Sequence, residues 1–287
     1  MTAAGNRERP AGECPRIEGI MFDVDGTLLL SDRALGSYEV LPGAVEVLVA
    51  LKERSVPFAL LTNGSAYPPQ EQAAKLRRIG LPVEDSQMIT PSSVMADHVS
   101  RLGMKRVLVL GTPGVGQALR DSGIQTVFTG EPDARQVDAV YVGWHPDCGM
   151  KDIETACEAI WGGAKLYAAS DVPFFATKQG RTIGYTFAIL GAIRRLTKAR
   201  AVVTGKPSLR ALRFVANRLG IPVRKMGVVG DDPVVEAVMA QRAGATMFAV
   251  TTGTTTLDEW LQQPAPRRAH RILDDLRDLL KSGMGVV

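Results

Sequence analysis

Cysteine, aromatic residues and long apolar runs are all scarce in this chain. It has 3 cysteines and 3 histidines among 287 residues, and aromatic residues make up 6%. Because no two cysteines have the close spacing of a zinc motif, we expect reduced thiols and no tetrahedral zinc site. The shortage of aromatic rings argues against a surface that stacks nucleic-acid bases.

No segment has the pattern of a signal peptide or a membrane span. The first 15 residues are polar and include several charges, and the uncharged apolar stretch at 182–193 is much shorter than the roughly 20 residues that a membrane helix needs. We therefore predict a soluble cytoplasmic protein that has no membrane partner and begins with a disordered tail over residues 1–16.

Neither sign of charge is in large excess. Lysine and arginine number 34 against 30 acidic residues, which gives a formal net charge of +4. A nucleic-acid-binding protein usually concentrates its basic residues on one face or in runs, whereas the densest run here, at 194–200, fits the solvated end of a helix. We expect no nucleic-acid partner.

Short apolar runs alternate with amphipathic stretches, which is the pattern of parallel βα units. The pattern predicts strands at 17–22, 58–61, 106–110, 125–129, 139–142, 165–169, 201–204, 226–229 and 246–250. It predicts helices at 44–54, 68–79, 114–122, 152–161, 185–196 and 273–280, and two more that end at residues 219 and 243. The fold class is α/β, with a doubly wound, Rossmann-like parallel sheet as its core. Since no linker rich in glycine and serine occurs, a second domain has to be an insertion.

The strongest local signal is the segment 23–27 (DVDGT), which follows a predicted buried strand. Asp23 and Asp25 stand at the carboxyl end of that strand, where α/β sheets bind ligands. Two carboxylates this close repel each other and need a cation or a shared proton, and a carboxylate can also act as a nucleophile. An ordinary Asp-Gly turn is the alternative.

Three further predicted strands also end in polar residues. The segment 62–64 (TNG) offers a hydroxyl, an amide and a glycine backbone to an anion. Lys206 supplies a point charge suited to phosphate, and the acids at 231–232 suit Mg²⁺, which prefers oxygen ligands. Each segment alone is a common turn or loop, but their combination predicts one site for phosphate and metal.

These four segments resemble the four motifs of the haloacid dehalogenase superfamily of aspartate-nucleophile phosphatases. The long interval between residues 62 and 206, together with GKPS at 205–208, resembles the 4-nitrophenylphosphatase-like subclass IIA with a type C2a cap. The resemblance implies a haloacid dehalogenase-like core over 17–84 and 200–287 and an inserted, smaller α/β cap domain over 85–199.

The resemblance also implies a Mg²⁺-dependent phosphatase that hydrolyses a small organic phosphate monoester through an aspartyl-phosphate intermediate. Asp23 would be the nucleophile and Asp25 the general acid and base. The metal would be held by Asp23, by the main-chain carbonyl of Asp25 and by Asp231. The residues that would bind the phosphate are Thr62, Asn63, Gly64 and Lys206.

One position departs from the family pattern. Many relatives have a second aspartate five residues after the first acid of the fourth motif, where this chain has Glu236. Glu236 could reach a metal-bound water or only favour a helix N-terminus; we expect it to support the metal without touching it. Asp232 could be either a direct ligand or such a support.

The cap would close over the site and select the substrate, a small phosphorylated metabolite. Its candidate contacts are Trp144 and His145 after one strand and Lys178 and Arg181 in a later segment that also has two phenylalanines. Packing or a solvated loop is the alternative for each. Relatives with this cap often pair through it, so a homodimer is expected.

Two other functions stay open at this point. A phosphomutase or phosphotransferase would pass the phosphoryl group to another hydroxyl, and release of phosphate without an acceptor would separate it from a phosphatase. A catalytically degenerate binding protein is the alternative of another class. Haloacid dehalogenation is disfavoured because its sites, by resemblance, lack the second acid that is Asp25 here.

Overall fold

The computed structural model describes residues 16–32, 37–178 and 180–281. The expected tail at 1–16 lies outside the described residues apart from its last position, and so does the side chain of Arg181. The strands in these ranges are β1 (Gly19–Phe22), β2 (Leu29–Ser31), β3 (Tyr38–Val40), β4 (Phe58–Leu61), β5 (Met88–Ile89), β6 (Arg106–Leu110), β7 (Gln125–Val127), β8 (Ala139–Val142), β9 (Lys165–Ala168), β10 (Phe174–Thr177), β11 (Gly180–Ile183), β12 (Val202–Val203), β13 (Met226–Gly230), β14 (Thr246–Ala249) and β15 (Arg271–Ile272).

Helices lie between most of the parallel strands. They are α1 (Ala44–Glu53), α2 (Pro69–Arg78), α3 (Pro91–Arg101), α4 (Gln117–Asp121), α5 (Met150–Trp161), α6 (Tyr185–Thr197), α7 (Leu209–Leu219), α8 (Val238–Ala243) and α9 (Leu257–Leu261). Short 3₁₀ turns occur at Asp85–Gln87, Pro113–Gly116, Val223–Lys225, Ala265–Arg267 and Leu276–Leu280, and a π-helical turn occurs at Pro233–Ala237.

The first domain is a six-stranded parallel sheet in the order β15-β14-β13-β1-β4-β5. Successive side chains of β1 point to opposite faces: Ile20 and Phe22 pack under α1 and α2, while Met21 packs with α7 and α8 on the other face. The sheet is therefore covered on both sides, as the near-continuous apolar strands predict.

The second domain is a smaller sheet of the same kind, inserted after β5. Its five parallel strands have the order β12-β9-β8-β6-β7. Helices α5 and α6 cover one face, and α3 and α4 cover the other. Two antiparallel hairpins, β2-β3 and β10-β11, accompany the sheets, and the N–H of Lys178 in the second hairpin donates to the Ser31 carbonyl at 2.9 Å.

The sheets confirm the predicted fold class and displace the expected domain boundaries by a few residues. Strand β5 pairs with β4 in the first sheet, and β12 pairs with β9 in the second, so the crossings lie after residue 89 and after residue 203. The sequence pattern misses both because two-residue strands have no readable period.

The predicted helix at 273–280 is wrong. Leu276–Leu280 is a 3₁₀ turn that Asp275 caps by accepting from the Arg277 N–H at 2.8 Å. Leu276 and Leu279, which stand three residues apart, are both buried in the core. This i,i+3 spacing suits a 3₁₀ turn as well as an α-helix, and the apolar pattern cannot separate the two. Across the described residues, the helices are all too short or too polar to cross a membrane.

Candidate active site

The candidate site lies at the carboxyl edge of the first sheet. Strands β4, β1 and β13 are parallel neighbours, so the residues that follow Leu61, Phe22 and Gly230 meet at one edge. Lys206 arrives differently. It follows β12 of the second sheet, through Gly205, whose N–H donates to the Ala169 carbonyl at 2.9 Å. The site thus joins both domains where the chain returns from the insertion.

Asp23 occupies the centre of this edge. Its side chain is buried, and its N–H donates to the Val229 carbonyl at 2.9 Å, which extends the β1-β13 ladder by one residue. One carboxylate oxygen contacts the Lys206 ammonium, and the Thr27 hydroxyl donates to the other at 3.3 Å. The backbone and these two partners fix the direction in which the Asp23 carboxylate points.

Lys206 lies between two carboxylates. It is only 3% exposed, and its Nζ contacts Asp23 and lies 2.7 Å from Glu236 Oε1. Burial opposes the ammonium charge, but Asp23 and Glu236 outweigh it and raise the lysine pKa above its ordinary value. Lys206 therefore stays charged, as a phosphate-binding group must.

Asp25 has a different environment from Asp23, although it is only two residues away. The Ser31 hydroxyl donates to its Oδ1 at 2.9 Å. Burial of the carboxyl group, and next the charge of Asp23, raise the pKa of Asp25 to about 6, while hydrogen bonds from Ser31 and Thr62 oppose the rise. A carboxyl group that titrates near neutral pH can both give and take a proton during a reaction.

The segment 62–64 supports the site through the side chains of Asn63 and Thr62. The Asn63 side chain accepts from the Lys206 N–H at 2.7 Å and donates to the Lys206 carbonyl at 3.1 Å. Since the Asn63 amide is engaged on both sides, it positions Lys206 and has little left for a phosphate. The Thr62 hydroxyl accepts from the Gly64 N–H at 2.8 Å, and Thr62, Asn63 and Gly64 all line the cavity.

Asp231 is held by the loop that follows β14. The N–H of Thr254 donates to Asp231 Oδ2 at 2.6 Å. A Cβ on Gly253 would overlap the Asp231 carboxylate, and one on Gly26 would lie 2.6 Å from Oδ2. Both glycines are thus required by close approach. The only available signal in the sequence is the run of threonines after β14.

The acids outnumber the cations in the site. Among the described residues that line the cavity, five carboxyl groups (Asp23, Asp25, Asp231, Asp232 and Glu236) accompany one lysine. Burial, and then the Asp23 charge, raise the pKa of Asp231 to about 7. Burial raises the pKa of Asp232, and it raises that of Glu236 well above its usual value. Such crowding is costly without a cation.

The donor set fits a magnesium ion. Oxygens of Asp23, Asp231 and Glu236 all lie within 4.8 Å of one another, and hard cations take oxygen ligands. The Asp25 carboxyl group does not belong to this cluster, which leaves it available for proton transfer. Glu236 is engaged with Lys206 through Oε1, and its Oε2 accepts from the Asp232 N–H at 3.2 Å.

Four aromatic residues of the cap line the cavity that includes these acids. The ring of Trp144 lies 4.5 Å from that of Tyr185 and 6.2 Å from that of Phe175. All three residues and Phe174 line the same cavity as Asp23. Tyr185 begins α6, a position that the sequence analysis does not single out.

The other candidate contacts of the cap are placed elsewhere. The His145 Nε2 lies 3.7 Å from Asp152 Oδ1, and the Lys178 Nζ is 3.5 Å from the Ser37 hydroxyl. Neither residue is among those that line the cavity. Trp144, the sequence neighbour of His145, does line the cavity.

Comparison with known proteins agrees with this geometry. The model of the haloacid dehalogenase-like hydrolases matches residues 20–125, and a HAD-hydrolase-like model matches residues 203–279. The chain belongs to the haloacid dehalogenase-like hydrolases. Within this family it falls in the subclass of the 4-nitrophenylphosphatases, subclass IIA, and it is a hydrolase of phosphoric monoesters.

Individual relatives support this placement. The 5'-nucleotidase YutF of Bacillus subtilis is 27% identical over 83% of this chain and 88% of its own length. A 4-nitrophenylphosphatase from Thermotoga maritima superposes with a TM-score of 0.83 at 25% identity, over 95% of this chain and all of that one. A glycerol phosphate phosphatase from Mycobacterium tuberculosis, solved in complex with magnesium, has a TM-score of 0.81 at 25% identity over 94% of this chain and 78% of its own.

Proposed function

We propose that this hydrolase acts on small phosphate monoesters through a covalent phosphoryl group on Asp23, with Mg²⁺ as its cofactor. The observation that carries the proposal is the contrast between two neighbouring acids. Asp23 is paired with the Lys206 ammonium, whereas the pKa of Asp25 is raised to about 6. One acid is thereby suited to attack, and the other to proton transfer.

The residues divide the reaction between them. An oxygen of Asp23 forms a bond to phosphorus while the ester P–O bond breaks, and Asp25 gives its proton to the leaving oxygen. Asp25 then takes a proton from water as the water oxygen attacks phosphorus and the bond to Asp23 breaks. Lys206, the Thr62 hydroxyl and the Asn63 N–H bind the phosphate oxygens and stabilise the developing charge.

Asp23 and Asp231, with the main-chain carbonyl of Asp25, would hold the Mg²⁺. When bound, the ion supplies positive charge that lets a phosphate dianion approach the Asp23 carboxylate. The fit rests on the excess of buried carboxyl groups and on their shared 4.8 Å cluster. Glu236, the third member of that cluster, keeps Lys206 in place through its ion pair.

The test uses a substrate whose leaving group needs no proton. With 4-nitrophenyl phosphate, whose leaving group departs as a stabilised anion, Asp25→Asn should still transfer the phosphoryl group to Asp23 but hydrolyse it slowly. Intact-protein mass spectrometry should then detect a phosphoryl adduct. Asp23→Asn should form no adduct and lose turnover, by roughly 10²–10³-fold or more, while its circular dichroism stays that of the wild type.

Opposite results would refute the mechanism. Wild-type activity in Asp23→Asn would exclude Asp23 as the nucleophile, and an unaltered rate in EDTA would exclude the metal. A phosphate yield that depends on an added alcohol or sugar would favour the phosphotransferase, since a phosphatase releases phosphate to water alone.

We further propose that the preferred substrate has a flat aromatic leaving group. The support is the cluster of Trp144, Phe175 and Tyr185 above the acids, because aromatic rings gain roughly 0.5–1.5 kcal/mol from such contacts beyond their buried area. Trp144→Leu should raise KM about 2- to 10-fold for aryl phosphates and leave that for glycerol phosphate unchanged. Trp161→Leu is the matched control, since Trp161 is exposed and lies outside the cavity.

The homodimer and the cytoplasmic location stay predictions. Phe187 and Leu196 on α6 of the cap are exposed apolar side chains, which a partner cap would cover. Light scattering of the full chain tests the assembly: a mass of one chain at micromolar concentration would refute it.

A further inference from the structure

A second cluster of metal-binding side chains lies in the cap, outside the phosphatase site. Residues 143–149 connect β8 to α5, and this connection and the first turn of α5 contribute His145, Cys148 and Asp152. One ligand atom of each, a ring nitrogen, a thiol sulfur and a carboxylate oxygen, lies within 4.8 Å of the other two. The spacing of cysteines and histidines alone does not indicate this site, because an aspartate supplies the third ligand.

The separation of the nitrogen and oxygen ligands is that of a tetrahedral metal centre. Zinc lies about 2.0–2.3 Å from nitrogen, sulfur and oxygen ligands, so two ligands across a tetrahedral angle are about 3.4–3.7 Å apart. His145 Nε2 and Asp152 Oδ1 are 3.7 Å apart. The Cys148 sulfur lies within 4.8 Å of a ring nitrogen of His145 and of a carboxylate oxygen of Asp152, and rotation about its single side-chain torsion can shorten these separations.

Neighbouring groups orient the Asp152 carboxylate and shift the pKa values of Asp152 and Cys148. Asp152 Oδ2 accepts from the Gly149 N–H at 2.8 Å, which fixes the carboxylate and leaves Oδ1 toward His145. Burial opposes ionisation of Asp152, but the Gly149 N–H, with Thr129 and His145, outweighs it and lowers the pKa. Asp152 is therefore an anion at neutral pH. Burial and Asp152 raise the pKa of the Cys148 thiol to about 11, so a metal has to displace its proton.

The ligand types distinguish this cluster from the phosphatase site. Thiolate and imidazole favour zinc and similar borderline ions, whereas magnesium prefers the all-oxygen set around Asp231. Three protein ligands with one open position are a common zinc arrangement. The cluster is half-buried and so remains accessible to an ion from solvent.

We propose that His145, Cys148 and Asp152 form a second divalent-metal site, of the zinc type, that joins the loop after β8 to the first turn of α5. Binding forms the sulfur–metal bond and releases the thiol proton to solvent. The loop also includes Trp144, whose N–H donates to the Ser65 hydroxyl at 2.9 Å. A metal at this site would therefore stiffen the segment that presents Trp144 to the cavity.

Cobalt(II) is the probe that separates the two sites. The full-length, tag-free chain is stripped with EDTA, equilibrated with excess Mg²⁺ to fill the all-oxygen site, and titrated with Co²⁺. Thiolate-to-cobalt charge transfer absorbs in the near ultraviolet, and oxygen ligands cannot produce that band. We expect the band to appear with one Co²⁺ per chain and to be abolished by added Zn²⁺.

Cysteine variants assign the band. It should vanish in Cys148→Ser and persist when Cys14 and Cys157 are both changed to serine. Asp152→Asn should keep a thiolate band but weaken Zn²⁺ binding by more than the roughly 10–100-fold that loss of an indirect partner costs. Cys148→Ser should retain its Mg²⁺-dependent phosphatase activity, which shows that the chain is folded.

Each contrary result overturns the proposal. Wild-type protein without a charge-transfer band has no thiolate-ligated metal, and a band that survives in Cys148→Ser comes from another thiol. If wild type, Cys148→Ser and Asp152→Asn retained equal amounts of Zn²⁺ after gel filtration, the cluster would not bind the metal. Its side chains would then only form hydrogen bonds at the start of α5. All three readouts are independent of turnover, so the phosphatase mechanism can fail without affecting them.

Discussion

Asp231→Asn should make the metal-free protein more stable while it abolishes the response to Mg²⁺. Asp231 is 3% exposed and lies among other carboxyl groups. Burial, and then the charge of Asp23, raise its pKa from 3.8 to about 7. A buried acid with a raised pKa opposes folding wherever the unfolded chain would ionise it. Asparagine removes that charge and keeps an oxygen that can accept from the Thr254 N–H.

The sign and size follow from linkage. In the metal-free wild type, Asp231 does not lower the free energy of unfolding below pH about 4, because the carboxyl group is protonated in both the folded and the unfolded chain. As pH rises from about 4 toward 7, Asp231 lowers the free energy of unfolding more and more. Above pH about 7 this destabilisation is constant. The rise of the Asp231 pKa from 3.8 to about 7 corresponds to about 4 kcal/mol of stability, at about 1.36 kcal/mol for each pH unit. This value is an upper limit, because the neighbouring acids share the proton. We expect the variant to gain about 1–4 kcal/mol at pH 8 and almost nothing at pH 4.

Urea unfolding in EDTA at several pH values, repeated with saturating Mg²⁺, measures both effects. The Mg²⁺-induced rise in the wild-type midpoint should be small or absent in Asp231→Asn, because the ion loses a carboxylate. Asp147→Asn is the control, since Asp147 is exposed and its change should stay within about 0.5 kcal/mol. An Asp231→Asn variant that is no more stable than the wild type at pH 8 in EDTA would refute the reasoning.

Three further outcomes are expected. Gly253→Ala should weaken Mg²⁺ activation at least about 10-fold, measured as the Mg²⁺ concentration for half-maximal rate, because its Cβ would overlap the Asp231 carboxylate. Gly191→Ala should instead stabilise the chain by about 0.5–1 kcal/mol in thermal unfolding, since its Cβ meets nothing within 4 Å and lies inside α6. Asp138 accepts two backbone N–H bonds, at 2.7 and 2.9 Å, which lower its pKa. Asp138→Asn should therefore lower the free energy of unfolding by about 1–2 kcal/mol at pH 7. This difference should disappear as pH falls below about 4, where the wild-type carboxylate also takes up a proton.

The fold is predictable because its main strands are short, fully apolar and bounded by polar residues. Strands β4, β6 and β8 begin and end where the apolar runs do. The pattern fails where local sequence has no period, as in the two-residue strands β5 and β12, which move the domain boundaries. It also misses the hairpin β10-β11, whose residues lie in a segment first considered for substrate contact.

The site is predictable in its residue types and less so in their partners. Strand ends locate Asp23 and Asp231, because the parallel strands β1 and β13 bring their carboxyl ends to one edge. Lys206 also follows a strand, but β12 belongs to the second sheet, and the sequence pattern does not predict this. Contacts between distant segments have no local signal. Nothing near Asn63 indicates that its amide faces the Lys206 backbone, 143 positions away. The same limit applies to the Thr254 N–H on Asp231, which depends on a close approach of two loops.

Glu236 shows how one departure from a family pattern can be explained by the structure. The π-helical turn Pro233–Ala237 places Glu236 beneath Gly230, where any Cβ would overlap its side chain. From there Oε1 reaches Lys206 and Oε2 reaches the Asp232 N–H. An aspartate is one methylene shorter and could not make both contacts from the same backbone position. The longer acid thus serves to hold the lysine, so Glu236→Asp should impair phosphate binding, seen as a raised KM, more than it impairs Mg²⁺ binding.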